Sequence, residues 1–188
     1  MINSANEIME PGVIRNSAGT LNQFTLGEPD GTISPRLRRI SAALHSGGVA
    51  APVTDAIRVE IWNKLLRNIS TSPICAMTGE PIGAIGRHPE LFALSRSLME
   101  EALAVARAHG IDPGVDIDRV YARRYDTPHR SSMLQDFERS RPPEIDGLLT
   151  AVQQFARVAR VPTPQIDAVT ALVIEKARRL GLYPAGVW

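Results

Sequence analysis

Residues 60–72, EIWNKLLRNISTS, hold Lys64, one of two lysines in a 188-residue chain that has nineteen arginines. Arginine suits fixed ion pairs, whereas a lysine ammonium is a compact donor whose pKa can be moved and whose proton can be given away. A chain so committed to arginine that keeps Lys64 points to proton chemistry at that position. Asn68 and Ser72 follow at four-residue steps, so on a helix Lys64, Asn68 and Ser72 form one polar stripe, with Trp62, Leu65 and Ile69 on other sides. The ordinary meaning of such a stripe is a solvated face. Here the neighbouring faces read as buried, and Pro73 leaves a carbonyl close to the stripe without its helical donor.

A second stretch of this kind is HRSSMLQDFERSRPPEID, residues 129–146. It reads as a short helix, then a stiff Arg-Pro-Pro turn, then a new helix with Glu144 in its first turn, where the helix dipole favours a carboxylate. Good capping alone accounts for that position. A double proline also fixes where the carboxylate points, so Ser132 and Glu144 together are suited to holding a small polar ligand.

The elements that must position these residues change character near residue 54. Before it, GVIRN and LNQFTLG read as short strands divided by SAGT, and SPRLRRISAALHSGG reads as a helix with Ser34 as N-cap, Pro35 at its first position and Gly47 or Gly48 as its stop. VAAPV is one further candidate strand. This is a fragment of an α/β pattern, too small to close a core by itself. From Thr54 onward no strand is evident. Thr54 or Asp55 caps a helix with Ile57, Ile61, Leu65 and Ile69 on one face, bending at Pro73 and ending near Gly79. Pro89 to Gly110 bounds another, with Leu91, Leu94, Leu98, Ala102 and Val105 along one face. Helices starting at Asp116 or Asp118, at Ser131, after Pro143 and at Thr163 complete five or six, as in an all-α bundle.

Composition sets the limits. A net charge of +1 argues against nucleic acid as a partner. Cys75 is the only cysteine, which excludes an internal disulfide and favours a reducing, cytoplasmic setting. The longest apolar run, AVTALVI, is too short to span a membrane. The four histidines have no metal-site spacing, and the arginine clusters at 36–39, 123–124 and 178–179 read as solvated helix faces.

The blocks IWNKLLRN and SSMLQDFERSRPPEID resemble the C-terminal half of ketopantoate reductase (2-dehydropantoate 2-reductase), and EPGVIRN with LGEPDG resembles the last strands of that family's nucleotide-binding domain. The resemblance implies a mainly α fold: a helical bundle of the 6-phosphogluconate dehydrogenase C-terminal-like type at 54–188, for substrate binding and dimerisation, preceded at 1–53 by a short α/β remnant of a Rossmann domain. It also implies roles. Lys64 and Glu144 are catalytic, Lys64 as the general acid that hydrogen-bonds the keto oxygen while NADPH delivers hydride, and Glu144 as the acid that binds the substrate hydroxyl. Asn68, Ser72 and Ser132 bind substrate, Ser72 standing where some members have an asparagine. The implied reaction is NADPH-dependent reduction of ketopantoate to pantoate in pantothenate biosynthesis.

The family's G-x-G-x-x-G phosphate loop is not in this sequence, and GEPIGAIG at 79–86 lacks its spacing. The chain alone is therefore expected to be inactive. Three readings follow: the substrate-binding half from a truncated gene, one subunit of a split reductase whose nucleotide-binding half is another polypeptide, or a non-enzymatic helical ligand-binding or dimerising module. Orphaned strand edges imply a homo-oligomer, through pairing of segment 12–26 between chains.

Overall fold

In the computed structural model, which describes residues 2–3, 6–10, 12–16, 23–122 and 127–184, the chain forms two compact units, 1–61 and 62–188. The division falls inside a helix, eight residues beyond the change of character at Thr54.

The first unit carries four short strands: β1 (Ile2–Asn3), β2 (Asn6–Glu10), β3 (Val13–Asn16) and β4 (Phe24–Thr25). GVIRN is β3, as expected, but it pairs antiparallel with β2, whose sequence NEIME gave no strand signal. β4 pairs antiparallel with β1, and isolated parallel bridges join Gln23 to Ala50 and Leu26 to Val53. VAAPV is thus strand-like, held by the Phe24 and Leu26 N–H groups bonding the Ala50 and Pro52 carbonyls at 2.8 and 2.9 Å. The SAGT divider and residues 21–22 of LNQFTLG lie outside the described residues.

Between the two parallel segments runs α1 (Pro35–Ser46), with Ser34 as N-cap accepting from the Leu37 N–H and Gly47 as its C-cap. Segment, helix, parallel segment is a βαβ crossover. Leu26, Leu37 and Ala51 form its small core. Gly27 matters here, because a Cβ at that position would come within 2.4 Å of Ile57 Cβ. The segment edges that the sequence leaves unpartnered are in part taken within the chain, β3 by β2 and β4 by β1 and residues 50–53.

The helix α2 (Ile57–Thr78) passes from the first unit into the second and continues through Pro73. Ile57 and Ile69 are buried and Leu65 half-buried, but Ile61 is 47% exposed, which breaks the expected apolar face. Four-residue steps advance about 400° on a helix of 3.6 residues per turn, so such a row drifts around the cylinder instead of tracking one core.

Among the described residues the regular elements of the second unit are all helical: after α2 come α3 (Ile82–Arg87), α4 (Pro89–Ala108), α5 (Ile117–Tyr121), α6 (Ser132–Glu138), a π-helical turn (Asp146–Thr150) leading into α7 (Ala151–Ala159), and α8 (Pro164–Arg179). The caps are those expected at Asp116 and Ser131, while α3 is an additional short helix. Residues 123–126, including the Arg123–Arg124 cluster, lie outside the described residues. The core joins Leu66, Ile69 and Cys75 of α2 to Leu98, Met99 and Val105 of α4, Leu134 and Phe137 of α6, and Val152, Ile166 and Val173 of the last two helices. Burying one such leucine or isoleucine contributes about 1.5–3 kcal/mol. Two polar clasps fix the helices further: the Glu101 carboxylate of α4 accepts the first free N–H groups of α8, from Gln165 and Ile166 at 3.0 and 2.9 Å, and Ser95 shares a buried 2.8 Å bond with Tyr121. Among the described residues no helix is long and apolar enough to cross a membrane.

Candidate functional site

The polar stripe on α2 rolls from solvent into the core. Lys64 is exposed, Asn68 half-buried and Ser72 only 3% exposed. Each four-residue step turns the direction of the side chain by about 40° and advances about 6 Å, so Ser72 lies about 12 Å along the axis from Lys64. A stripe of this shape places an ammonium at the surface and carries a line of amide and hydroxyl groups down from it. The turn before Pro73 is bound by hydroxyls: Ser70 and Thr71 both donate to the Arg67 carbonyl, at 3.0 and 2.9 Å.

Ser131 and Ser132 divide their labour at the start of α6. Ser131 is buried and caps the helix, its Oγ accepting from the Leu134 N–H at 3.3 Å, while Ser132 is exposed at the first helical position. Cys75 of α2 is fully buried. Burial pushes the Cys75 thiol up from 9.0 to about 11, with Ser131 pulling the other way.

Lys176 of α8 donates to the Ala76 carbonyl, in the last turn of α2 where carbonyls lack helical partners, and its ammonium lies 4.8 Å from the centre of the Phe137 ring of α6. The argument from lysine rarity therefore applies as strongly to Lys176, which has a structural role. Sequence reasoning used Cys75 only to exclude an internal disulfide and to favour a reducing setting, and passed over Lys176; the one available signal was that both types are rare in this chain.

After α6 the chain reverses at Ser140, which has φ of 50°, with Arg141 paired to Asp136 at 2.9 Å. Pro143 is buried and Glu144 exposed. The Glu144 carboxylate folds back toward Gly147, where an added Cβ would lie 2.8 Å from Oε1. The π-helical turn begins two residues after Glu144. Of the five candidate residues, Ser72 is enclosed in α2, Asn68 is half-buried, and Lys64, Ser132 and Glu144 stand at the surface of the same unit. A hollow of about 310 Å³ at the α7–α8 turn, lined by Gln153, Arg157, Arg160 and Asp167 among others, includes none of them. No His, Cys, Asp and Glu cluster suited to a metal occurs among the described residues.

The glycines of GEPIGAIG do not form a pyrophosphate cradle. Gly83 and Gly86 are buried in α3, and a Cβ on Gly83 would lie 2.6 Å from the Thr127 carbonyl oxygen. The first N–H groups of α3, from Ile82 and Gly83, are bonded to the His129 and Thr127 carbonyls at 2.9 and 3.0 Å. Those donors are unavailable to a phosphate, and the glycine serves close backbone packing.

Residues 56–177 match the family model described as "Ketopantoate reductase PanE/ApbA C terminal". The chain is 43% identical over 180 residues to a 2-dehydropantoate 2-reductase of Mesorhizobium japonicum, covering 95% of this chain and 55% of that one. It is 29% identical over 167 residues to a 2-dehydropantoate 2-reductase of Halobacterium salinarum, covering 87% and 54%. The crystal structure of 2-dehydropantoate 2-reductase from Methylococcus capsulatus superposes with a TM-score of 0.83 at 28% identity, covering 95% of this chain and 62% of that one. The chain thus spans about half the length of the curated relatives that it matches.

Proposed function

Because the chain belongs to the ketopantoate reductase family through that family's C-terminal domain, we propose that it is the substrate-binding half of a 2-dehydropantoate 2-reductase. The single observation that carries this reading is that the match to the family's C-terminal model spans residues 56–177 and so contains Lys64, Asn68, Ser72, Ser132 and Glu144.

In this reading Lys64 donates to the keto oxygen of ketopantoate and gives up a proton as charge grows there. A donor aimed at a developing oxyanion contributes about 3–4 kcal/mol to the transition state. An arginine could donate but would not release the proton, its pKa staying above about 12. Asn68 holds the same substrate from one turn along, Ser132 meets its carboxylate end, and Glu144 accepts from its hydroxyl. Ser72, enclosed below Asn68, contributes by supporting that wall of the site.

NADPH is the cofactor that family membership suggests, and it supplies hydride when bound. The residues of this chain do not fit it: the G-x-G-x-x-G motif is absent and the nearest glycines pack against backbone. The βαβ crossover at 23–53 has the form of the closing piece of a nucleotide-binding domain, whose phosphate loop then lies outside this sequence. The missing loop equally favours two other arrangements: a split enzyme whose second polypeptide binds NADPH, and a helical binding or dimerising module without catalysis.

Calorimetry on the 188-residue chain tests the proposal. Binding of ketopantoate without binding of NADPH is the expected result. Tight NADPH binding would overturn the view that the cofactor seat lies elsewhere, and failure to bind ketopantoate would remove the substrate assignment. Ketopantoate-dependent NADPH oxidation on mixing with a separate nucleotide-binding polypeptide would identify the split enzyme.

A further inference from the structure

Substrate binding as proposed above needs the Glu144 carboxylate to point one way, although Glu144 is an exposed residue between α6 and the π-helical turn. The backbone that carries it is fastened on both sides. At the end of α6 the Ser140 N–H bonds the Phe137 carbonyl at 3.1 Å and the Arg141 N–H bonds the Asp136 carbonyl at 2.8 Å, with Ser140 in the left-handed region at φ 50°. This is a Schellman ending, which an apolar contact commonly accompanies. Here the residues joined by its longer bond, Asp136 and Arg141, are held instead by an ion pair at 2.9 Å, and both are half-buried. Among the described residues Arg141 Nε is also buried without a hydrogen-bond partner, a cost that an apolar side chain would avoid. Beyond the pair, Pro142 and Pro143 restrict the backbone through their rings. The Ile145 N–H then bonds the Pro143 carbonyl at 2.8 Å, closing a three-residue turn with Glu144 at its centre. Ile145 itself is 1% exposed and anchored in the core.

We infer that Arg141 is a positioning residue for substrate binding: its ion pair with Asp136 fixes where the Pro142–Pro143 turn leaves α6, and so the direction in which Glu144 offers its carboxylate. This deepens the substrate assignment and rests on it. With the turn held at Arg141 and at Ile145, the freedom that remains is that of the Glu144 side chain. Gly147 leaves room for its carboxylate, since a Cβ there would lie 2.8 Å from Oε1. The pair needs a cation that reaches Asp136; a lysine at 141 supplies one nitrogen to the same oxygen, whereas a glutamine supplies no charge. Its side chains are 42% and 24% exposed, so its loss acts on the turn more than on the stability of the fold.

The test uses the whole chain with Arg141→Gln and Arg141→Lys, each alone and combined with Glu144→Gln. Ketopantoate affinity is measured by calorimetry, and amide hydrogen exchange is measured on segment 139–147 and on the core helices. Expected are affinity about five-fold or more weaker in Arg141→Gln, the equivalent of one lost hydrogen bond, with recovery in Arg141→Lys. Adding Arg141→Gln to Glu144→Gln should bring no further loss, because Arg141 acts through that carboxylate. Exchange in Arg141→Gln should quicken within 139–147 and stay unchanged in the core helices. An equal loss of affinity in the Glu144→Gln background would overturn the inference, as would unchanged affinity in Arg141→Gln. Quicker exchange across all the core helices without recovery in Arg141→Lys, the mark of a purely structural role, would also overturn it. If the unaltered chain binds no ketopantoate, the substrate assignment fails, and exchange at 144–147 still decides whether Arg141 holds Glu144: faster exchange in Arg141→Gln supports that hold and unchanged exchange removes it.

Discussion

The two lysines of this chain stand in different surroundings. Lys176 is spent on a backbone carbonyl and an aromatic ring, and Lys64 is exposed at the head of a polar stripe. If Lys64 donates to the keto oxygen and then releases a proton, Lys64→Arg leaves thermal unfolding unchanged and lowers turnover of the reductase containing this domain by about 10²-fold or more, the scale for losing one transition-state donor; steady-state NADPH oxidation checks this. Cys75 gives a second expectation. Its thiol is harder to ionise in the folded chain, up from 9.0 to about 11, chiefly because it is buried. A raised folded value means that its contribution to stability is complete below pH 9 and is lost as pH climbs toward 11. The loss is on the order of 2 kcal/mol, so urea unfolding of the unaltered chain should decline across that window more than that of Cys75→Ser. At this scale the sequence made the stripe legible, because helical spacing is a property of local order. It gave Cys75 no place in the packing and left Lys176 unremarked, because the partners of Lys176, Ala76 and Phe137, are brought to it only by tertiary packing.

At the level of elements, the caps were the most readable feature. Ser34, Asp116 and Ser131 each sit where a short side-chain oxygen must satisfy a free N–H, and each does so. The start of α8 differs: Thr163 makes no side-chain cap bond, and the two open N–H groups are met by Glu101 from another helix. No local pattern announces that substitution. Glu101→Ala should cost about 1–2 kcal/mol, by analogy with loss of a cap, measurable by urea unfolding, whereas Glu101→Gln retains one acceptor and should cost less. The misses have similar causes. β2 was unreadable because the alternation in NEIME is short and charged, α3 because its glycines signal a loop unless Thr127 is known to pack against them, and the exposure of Ile61 because a four-residue row does not stay on one face of α2.

At the scale of the molecule, the mainly helical class was legible from the loss of strand signals after residue 54, while the compact units divide between Ile61 and Trp62, inside α2. Exposed apolar side chains on the helical unit, Phe155, Val158 and Leu172 at 47, 77 and 55%, favour association. Light scattering should return a dimer or larger species at micromolar concentration, and a monomer at every concentration would remove the homo-oligomer from the proposal. The most direct test concerns the site itself: titrating ketopantoate calorimetrically into the chain and into Lys64→Gln. If the ammonium holds the keto oxygen, the chain binds and the variant binds about ten-fold or more weakly, as expected for loss of a charged hydrogen bond; equal affinity in the two proteins would contradict it.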